Sequence, residues 1–216
     1  MFGQNPKLPP VKSDGEHLDV HSIFYTLQGE GPRAGQPAVF VRLSGCNLAC
    51  DFCDTDFDAA KKYSIAELLE KIEQEKQFAE LIVITGGEPL RQEIAKFCNA
   101  LIAKNFTVQI ETNGTLYQNL PTQVEWVCSP KASASGYGAL RQDVVSRVTA
   151  FKFLLSKTHP LYLDVPKNNF TAPIYVQPMD EKSAEKNQAN LVYAAKMAMK
   201  RGYRLSLQLH KYIGIP

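Results

Sequence analysis

Apolar runs rich in valine and isoleucine alternate along the chain with segments of helical periodicity. Strands are predicted over residues 39–45 (VFVRLSG), 80–87 (ELIVITGG) and 106–114 (FTVQIETNG), since near-continuous apolar runs of this length are typical of buried parallel strands. Four further strands are predicted from VEWVCSPK, TAFKFLLS, APIYVQPMD and RLSLQLH. The alternation of strands and helices predicts an α/β fold with a largely parallel sheet.

The predicted helices carry capping signals at their ends. Ser64 and Glu67 form a capping-box pattern, with serine at the N-cap and glutamate three residues later. Further helices are predicted over residues 90–104 and 183–201, and Gly202 is expected to end the second of these.

The helical signal is weak in the second half of the chain. Residues 129–150 are rich in small side chains and glycine, and residues 157–172 show even less helical periodicity. The crossovers between these strands should therefore be short or irregular. The sequence predicts an incomplete β/α barrel rather than a closed eight-fold one.

Length and composition limit the class of protein. A chain of 216 residues fits one domain, which we expect over residues 19–216, after a flexible extension over residues 1–18 with little to bury. The formal charge of +2 and the scattered basic residues argue against nucleic-acid binding. No apolar stretch is long enough to span a membrane, and the first residues lack the apolar segment of a secretory signal.

Three of the five cysteines lie close together, at Cys46, Cys50 and Cys53. An odd, clustered set does not fit a disulfide framework, so a reducing cytoplasm is the expected location. A four-iron cluster held by three thiolates leaves one iron open to another ligand. The alternative is that Cys128 completes a four-thiolate zinc or electron-transfer site, which would make the chain a structural module.

Polar or glycine-rich strings follow five of the predicted strands: SGCNLAC, TGGEP, ETNG, SPK and QPMD. In parallel α/β architectures the carboxyl ends of the strands form the active-site edge. The sequence therefore predicts that these strings meet in one site. Taken alone, each could equally be an ordinary loop or turn.

The cysteine spacing and the TGGEP string resemble those of the radical S-adenosylmethionine (radical SAM) superfamily. The resemblance implies that the open iron chelates the cofactor, that the backbone at Gly87 contacts its amino group, and that Phe52 packs near its adenine. The cofactor contacts implied by the resemblance are Phe52, Cys53, Asp54, Gly87, Glu111, Ser129, Pro130, Lys131, Gln177, Pro178, Met179 and Asp180.

A closer resemblance comes from TLQGEG (residues 26–31), Arg42 and the CDT string at residues 53–55. Together with TGGEP, ETNGT, SPK, QPMD and the terminal HKYIGIP, they resemble the 7-carboxy-7-deazaguanine synthase family from about residue 23 to residue 216. That family converts 6-carboxy-5,6,7,8-tetrahydropterin to 7-carboxy-7-deazaguanine with loss of ammonia, on the route to queuosine.

The family resemblance also implies residue roles and partners. Arg42 would pair with the substrate carboxylate, since guanidinium matches carboxylate in a two-pronged fork. Thr55 would ligate Mg²⁺, a flavodoxin or ferredoxin would donate electrons, and the chain would form a homodimer. The implied substrate contacts are Leu27, Gln28, Gly29, Glu30, Arg42, Thr85 and Pro216.

Two questions stay open at this point. Lys152 and His210 could enter the site or be structural. A glycyl-radical activase, which acts on a protein partner, shares the cysteine triplet and a similar size, although it has no evident need for LQGEG, Arg42 or a C-terminal proline.

Overall fold

The structure is a computed structural model that describes residues 5–53, 60–133, 136–137, 140–167 and 169–216. Its strands, numbered in chain order, are β1 (His17–Leu27), β2 (Pro37–Leu43), β3 (Lys61–Ser64), β4 (Leu81–Gly86), β5 (Thr107–Thr112), β6 (Glu125–Cys128), β7 (Ala132–Ser133), β8 (Gly136–Tyr137), β9 (Ala150–Leu155), β10 (Ile174–Pro178) and β11 (Arg204–Leu205). Its helices are α1 (Ile65–Glu75), α2 (Ala95–Ala103), α3 (Gln142–Val145), α4 (Ala184–Arg201) and α5 (Leu209–Ile213).

One nine-stranded sheet runs in the order β11-β10-β9-β6-β5-β4-β2-β1-β3. From β2 to β11 every neighbouring pair is parallel. β1 instead pairs antiparallel with both β2 and β3. In the described part of the chain nothing pairs β3 with β11, so the sheet stays open there, and the expectation of an incomplete barrel is confirmed.

The two faces of the sheet have different contents. The outer face packs against helices and forms the main core, with side chains such as Leu68 of α1, Phe97 of α2 and Ala194 of α4 fully buried. Among the described residues, the inner face has two small apolar clusters: Ala38, Leu81 and Val83, and Val127, Ala150 and Tyr175. Because side chains alternate along a strand, the next inward positions after these clusters lie nearer the carboxyl rim, and many of them are polar.

The crossovers in the second half are irregular and contain little helix, as expected. β5 and β6 are joined without a helix, a four-residue helix (α3) precedes β9, and a three-residue turn of 3₁₀ helix lies between β9 and β10. The first-half helix α1 begins with the predicted capping box at Ser64 and Glu67. Gly202 ends α4 in the left-handed conformation, as expected.

Two sequence predictions need correction. The strand predicted over RLSLQLH is wrong beyond Leu205, because Ser206 turns inward to accept from the Gly31 N–H (2.9 Å) and donate to Gln177 Oε1 (3.1 Å), and α5 follows.

The second correction concerns the helix predicted over residues 90–104, since α2 begins only at Ala95, after a turn of 3₁₀ helix. The N-terminal segment was expected to be flexible, with little to bury. Asn5 and Leu18 are buried, and β1 already begins at His17. The division into residues 1–18 and 19–216 stays a prediction. None of the described helices has the length and apolar content to cross a membrane.

Candidate active site

A cavity of about 450 Å³ opens at the carboxyl ends of the parallel strands. Residues from all five predicted strings line it: the cysteine loop (residues 45–53), TGGEP, ETNG, SPK and QPMD. The sheet order explains the convergence, because β2, β4, β5, β6, β9 and β10 are parallel neighbours whose carboxyl ends share one edge.

The cysteine loop is held against the turn that follows β4. Gly86 has φ +134°, and a Cβ there would overlap the Leu43 carbonyl oxygen. A Cβ on Gly87 would overlap the Gly45 carbonyl and lie 2.8 Å from Cys46 Cβ. The Glu88 N–H donates to the Gly45 carbonyl at 3.0 Å. The two glycines are therefore needed for backbone contact with the cysteine loop, whatever they do for a ligand.

The three cysteines share half-buried surroundings at the wall of the cavity. All three line the cavity, and burial raises the thiol pKa of Cys46 and Cys50, the nearby Lys131 ammonium opposing the rise for Cys50. Among the described residues, no three or more His, Cys, Asp or Glu side chains are placed to hold one metal ion. Zinc needs thiolates that converge on one atom, whereas each cysteine of a four-iron cluster binds a different iron.

Cys128 does not join the triplet. It is fully buried at the end of β6, and burial raises its pKa to about 12. A Cβ on Gly114 would lie 2.5 Å from its sulfur. A protonated thiol packed against a turn in the core is a poor metal ligand, since the thiolate is the ligating form.

Glu88, the acidic residue of TGGEP, joins the ends of β4 and β5. Its buried carboxylate accepts from the Asn113 N–H (2.7 Å), the Thr112 hydroxyl (2.7 Å) and the Leu90 N–H (3.1 Å). Burial outweighs these donors and raises its pKa to about 7. Sequence analysis gave this side chain no role; here it holds the TGGEP turn against ETNG.

The wall across the cavity contains a buried group of charges. Lys152 is only 4% exposed, and its ammonium donates to the carboxylates of both Glu30 and Glu111. Gln28 Nε2 donates to Glu111 Oε1 at 3.0 Å, and Gln208 Nε2 donates to Glu30 Oε1 at 2.8 Å. Burial opposes ionisation, yet Lys152 lowers the pKa of Glu30 to about 2, and the two carboxylates raise the pKa of Lys152.

Aromatic and basic side chains extend this wall along β1 and β2. The Phe24 and Phe40 rings stack with centroids 5.5 Å apart, and the Arg42 guanidinium lies 5.6 Å from the Phe24 centroid. Arg42 is the direct neighbour of Thr85 across the β2–β4 pair. A planar aromatic surface beside a guanidinium can hold a flat, anionic heterocycle.

The C-terminal segment closes the same side. The Thr26 hydroxyl donates to the Pro216 carbonyl at 2.9 Å, and the Leu209 N–H donates to the Gly29 carbonyl at 3.1 Å. A Cβ on Gly29 would lie only 2.5 Å from His210 Nδ1. The terminal HKYIGIP string therefore reaches the cavity by packing on TLQGEG.

Near the cysteine loop, Phe52 contacts Tyr162 edge-to-face, with centroids 5.4 Å apart. The Lys131 ammonium donates to the Ser129 carbonyl (2.6 Å) and hydroxyl (2.7 Å), and burial lowers its pKa. Asp180 accepts from Lys211 Nζ at 2.6 Å, and this bond, against burial, lowers its pKa to about 2. A ligand hydroxyl that donates to Asp180 would have to share its carboxylate with Lys211.

The cavity brings together most of the residues singled out from the sequence. Pro130 and Pro178 are exceptions that do not line it, because neighbours in extended chain point to opposite sides. Asp54 and Thr55 lie outside the described residues. Lys152 and His210 line the cavity, which answers the question left open above. Sequence analysis missed further lining residues: Asn5, Phe24, Thr26, Phe40, Leu48, Gly86, Thr112, Asn113, Leu154, Lys182 and Gln208.

Similarity to known proteins extends over the whole chain. The chain is 45% identical to 7-carboxy-7-deazaguanine synthase of Rickettsia prowazekii, over 100% of this chain and 96% of that protein. It is 42% identical to the protein of the same name from Rhodospirillum rubrum, and each chain is covered completely. The chain belongs to the 7-carboxy-7-deazaguanine synthase family.

Two further comparisons agree with membership of this family. Residues 40–127 match the family model described as the Radical SAM superfamily. The crystal structure of QueE from Escherichia coli superposes with a TM-score of 0.74 at 25% identity, covering 89% of this chain and 94% of that one. The chain is thus a radical SAM enzyme, and neither the structural module nor the activase considered above is favoured.

The packing of Gly87 predicts that alanine there disturbs the cysteine loop itself. We expect Gly87→Ala to bind at least twofold less iron after anaerobic reconstitution, measured by iron counting. Gly35→Ala is the control, because a Cβ on Gly35 meets no atom within 4 Å, and the positive φ of Gly35 (+87°) adds a backbone strain that Gly87→Ala does not have. A full iron complement in Gly87→Ala would show that the contact with Gly45 is dispensable.

The raised pKa of Glu88 predicts a pH effect near neutrality. Its folded-state pKa of about 7 exceeds the ordinary 4.5, so the stability it contributes is fully present below pH 4.5 and is lost as pH rises through about 7. The loss should be on the order of 3 kcal/mol. The free energy of unfolding, measured with urea at pH 5, 6 and 7, should fall as the pH rises. This slope should be smaller in Glu88→Gln.

The control for this series is Glu80→Gln, because Glu80 is exposed at the start of β4. It should keep the slope of the unmodified protein. Equal slopes in Glu88→Gln and Glu80→Gln would exclude Glu88 as the titrating group.

Removing the Lys152 ammonium should destabilise the protein, because the largely buried carboxylates of Glu30 and Glu111 would lose their counter-ion. Loss of one partner from a buried ion pair costs about 3–5 kcal/mol, which lowers Tm by roughly 10 °C in a chain of this size. Differential scanning fluorimetry of Lys152→Met against Lys62→Met, an exposed control, measures the change. Identical Tm values would contradict the assignment of a buried ion pair.

Proposed function

We propose that this chain converts 6-carboxy-5,6,7,8-tetrahydropterin to 7-carboxy-7-deazaguanine with loss of ammonia, as its relatives' name and the family resemblance suggest. One observation carries the proposal. A single cavity has the cysteine triplet on one side and a planar aromatic and charged surface, with Phe24, Arg42 and the Lys152 group, on the other. The cavity can therefore take a cluster-bound cofactor and a small anionic heterocycle side by side.

The residues of the cysteine loop fit a [4Fe–4S] cluster. Cys46, Cys50 and Cys53 would each hold one iron, and the fourth iron would be left for S-adenosylmethionine. When bound, the cluster and this cofactor supply reductive cleavage of a sulfur–carbon bond and a radical that removes hydrogen from the substrate. The protein's part is to orient both molecules and to keep water away.

The cofactor side of the cavity is assigned to donors and acceptors at the strand ends. Phe52, backed by Tyr162, offers an aromatic edge to an adenine. Lys131, held by Ser129, brings a positive charge that suits the cofactor carboxylate. Gln177 and Asp180 are acceptors for ribose or adenine groups, and Gly87, Glu111 and Met179 line the same space.

The substrate side is assigned to the opposite wall. Arg42 would pair with the pterin carboxylate in a bidentate fork, and Phe24 would support the ring plane. The carboxylates of Glu30 and Glu111 accept hydrogen bonds, which suits the N–H-rich pyrimidine edge of a pterin. Lys152 lowers the pKa of Glu30, and its hydrogen bonds to both carboxylates fix their orientation. Leu27, Gln28, Gly29, Thr85 and Pro216 complete this pocket.

Several finer assignments rest on the family resemblance. Thr55 would ligate Mg²⁺, an ion that favours oxygen ligands and keeps places for substrate. A flavodoxin or ferredoxin would supply the electron, two copies of the chain would form a homodimer, and the reducing cytoplasm would keep the thiolates available.

The test is turnover of the reconstituted protein under anaerobic conditions with the carboxylated tetrahydropterin, S-adenosylmethionine and dithionite. We expect 7-carboxy-7-deazaguanine and ammonia in equal amounts. Cys50→Ala should lose both products, whereas the matched Cys128→Ala control should keep about four irons and full turnover.

Two other outcomes would overturn the proposal. Cleavage of S-adenosylmethionine without pterin turnover would favour the activase. One zinc per chain, lost in Cys128→Ala, would favour the structural module.

A further inference from the structure

Residues 5–11, the N-terminal strap, run along the cysteine loop. Lys7 forms an isolated parallel β-bridge with Cys46, and the Leu8 N–H donates to the Cys46 carbonyl at 2.8 Å. Arg91 fixes the other end, since its Nη1 donates to the Pro9 carbonyl and its carbonyl accepts from the Val11 N–H. Main-chain hydrogen bonds thus determine the position of the strap beside the loop.

The strap places one polar side chain at the proposed cluster. Asn5 is only 8% exposed and lines the cavity. Its Nδ2 lies 3.7 Å from Cys53 Sγ, within donor distance of a sulfur acceptor. The Leu48 N–H makes the comparable contact with Cys46 Sγ at 3.4 Å. The Cys46 donor is main chain, whereas the Cys53 donor can be removed by substitution.

Donors to ligand sulfurs tune an iron–sulfur centre. Reduction adds negative charge that spreads onto the thiolates, so a nearby N–H stabilises the reduced form more than the oxidised form and raises the potential. Inside the protein little water screens an N–H donor, so its hydrogen bond to the thiolate has a strong effect on the reduction potential.

We propose that Asn5 is a positioning residue that donates to the Cys53 thiolate and raises the reduction potential of the cluster, with the N-terminal strap holding it in place. This inference rests on the cluster site proposed above and gives a function to a segment that sequence analysis left without one. It also explains why Asn5 is buried within an otherwise exposed strap.

The test is a redox titration of the reconstituted protein, followed by EPR of the reduced cluster. We expect Asn5→Leu to lower the ratio of reduced to oxidised cluster at a fixed potential by about threefold or more, which is about 30 mV for one electron. Asn5→Asp should lower it further, because it also adds negative charge. Asn5→Gln, which keeps the amide, should lie closer to the unmodified protein.

The controls are Asn119→Leu and Asn119→Asp, since Asn119 is exposed in the loop before β6; neither should move the potential. Unchanged potentials in Asn5→Leu and Asn5→Asp would overturn the inference. If both variants fail to hold iron, retention in Asn5→Gln supports an amide donor, whereas equal loss there counts against it. Failure of the unmodified protein to bind four irons would instead overturn the proposed cluster site.

Discussion

Close backbone contact between the turn after β4 and the cysteine loop is the constraint on which the site depends. Gly86 and Gly87 allow that turn to lie directly on Leu43 and Gly45. This contact places the cysteines at the edge where the parallel strands end. Glu88 then extends the arrangement to the end of β5 by accepting hydrogen bonds from Thr112 and Asn113. The position of the cysteines thus follows from packing within the protein.

The opposite wall is organised by charge. A lysine between two carboxylates is expensive to bury unless every group finds a partner, and Gln28 and Gln208 supply additional bonds to the carboxylates. Since the C-terminal segment contributes Gln208, His210 and Pro216, this wall is complete only when the chain end is docked.

Much of the fold and site could be predicted because it depends on local patterns. Apolar runs located the parallel strands, the Ser64 capping box located α1, and polar strings after strands located the rim. β1 gave no such signal, since its burial is uneven. The end of RLSLQLH was misread because Ser206 bonds to Gly31 and Gln177, contacts that no local pattern encodes.

Site residues on the inner face were harder to recognise than those in motifs. Lys152 stands within an apolar strand, AFKFLL, and a lone charge in such a run is the signal that could have placed it in the site. Asn5 offered no comparable signal, because its role depends on how the strap folds back on the cysteine loop. Burial of polar groups is a tertiary property, and sequence shows it only when the surroundings are uniformly apolar.

In the proposed site, the cysteine triplet leaves one iron of a four-iron cluster open to the cofactor. Mössbauer spectroscopy of the iron-57 reconstituted protein, with and without S-adenosylmethionine, tests it most directly. We expect the signal of one iron in four to change when the cofactor is added, while the other three stay as they were. Four irons with spectra that the cofactor does not alter would contradict the claim.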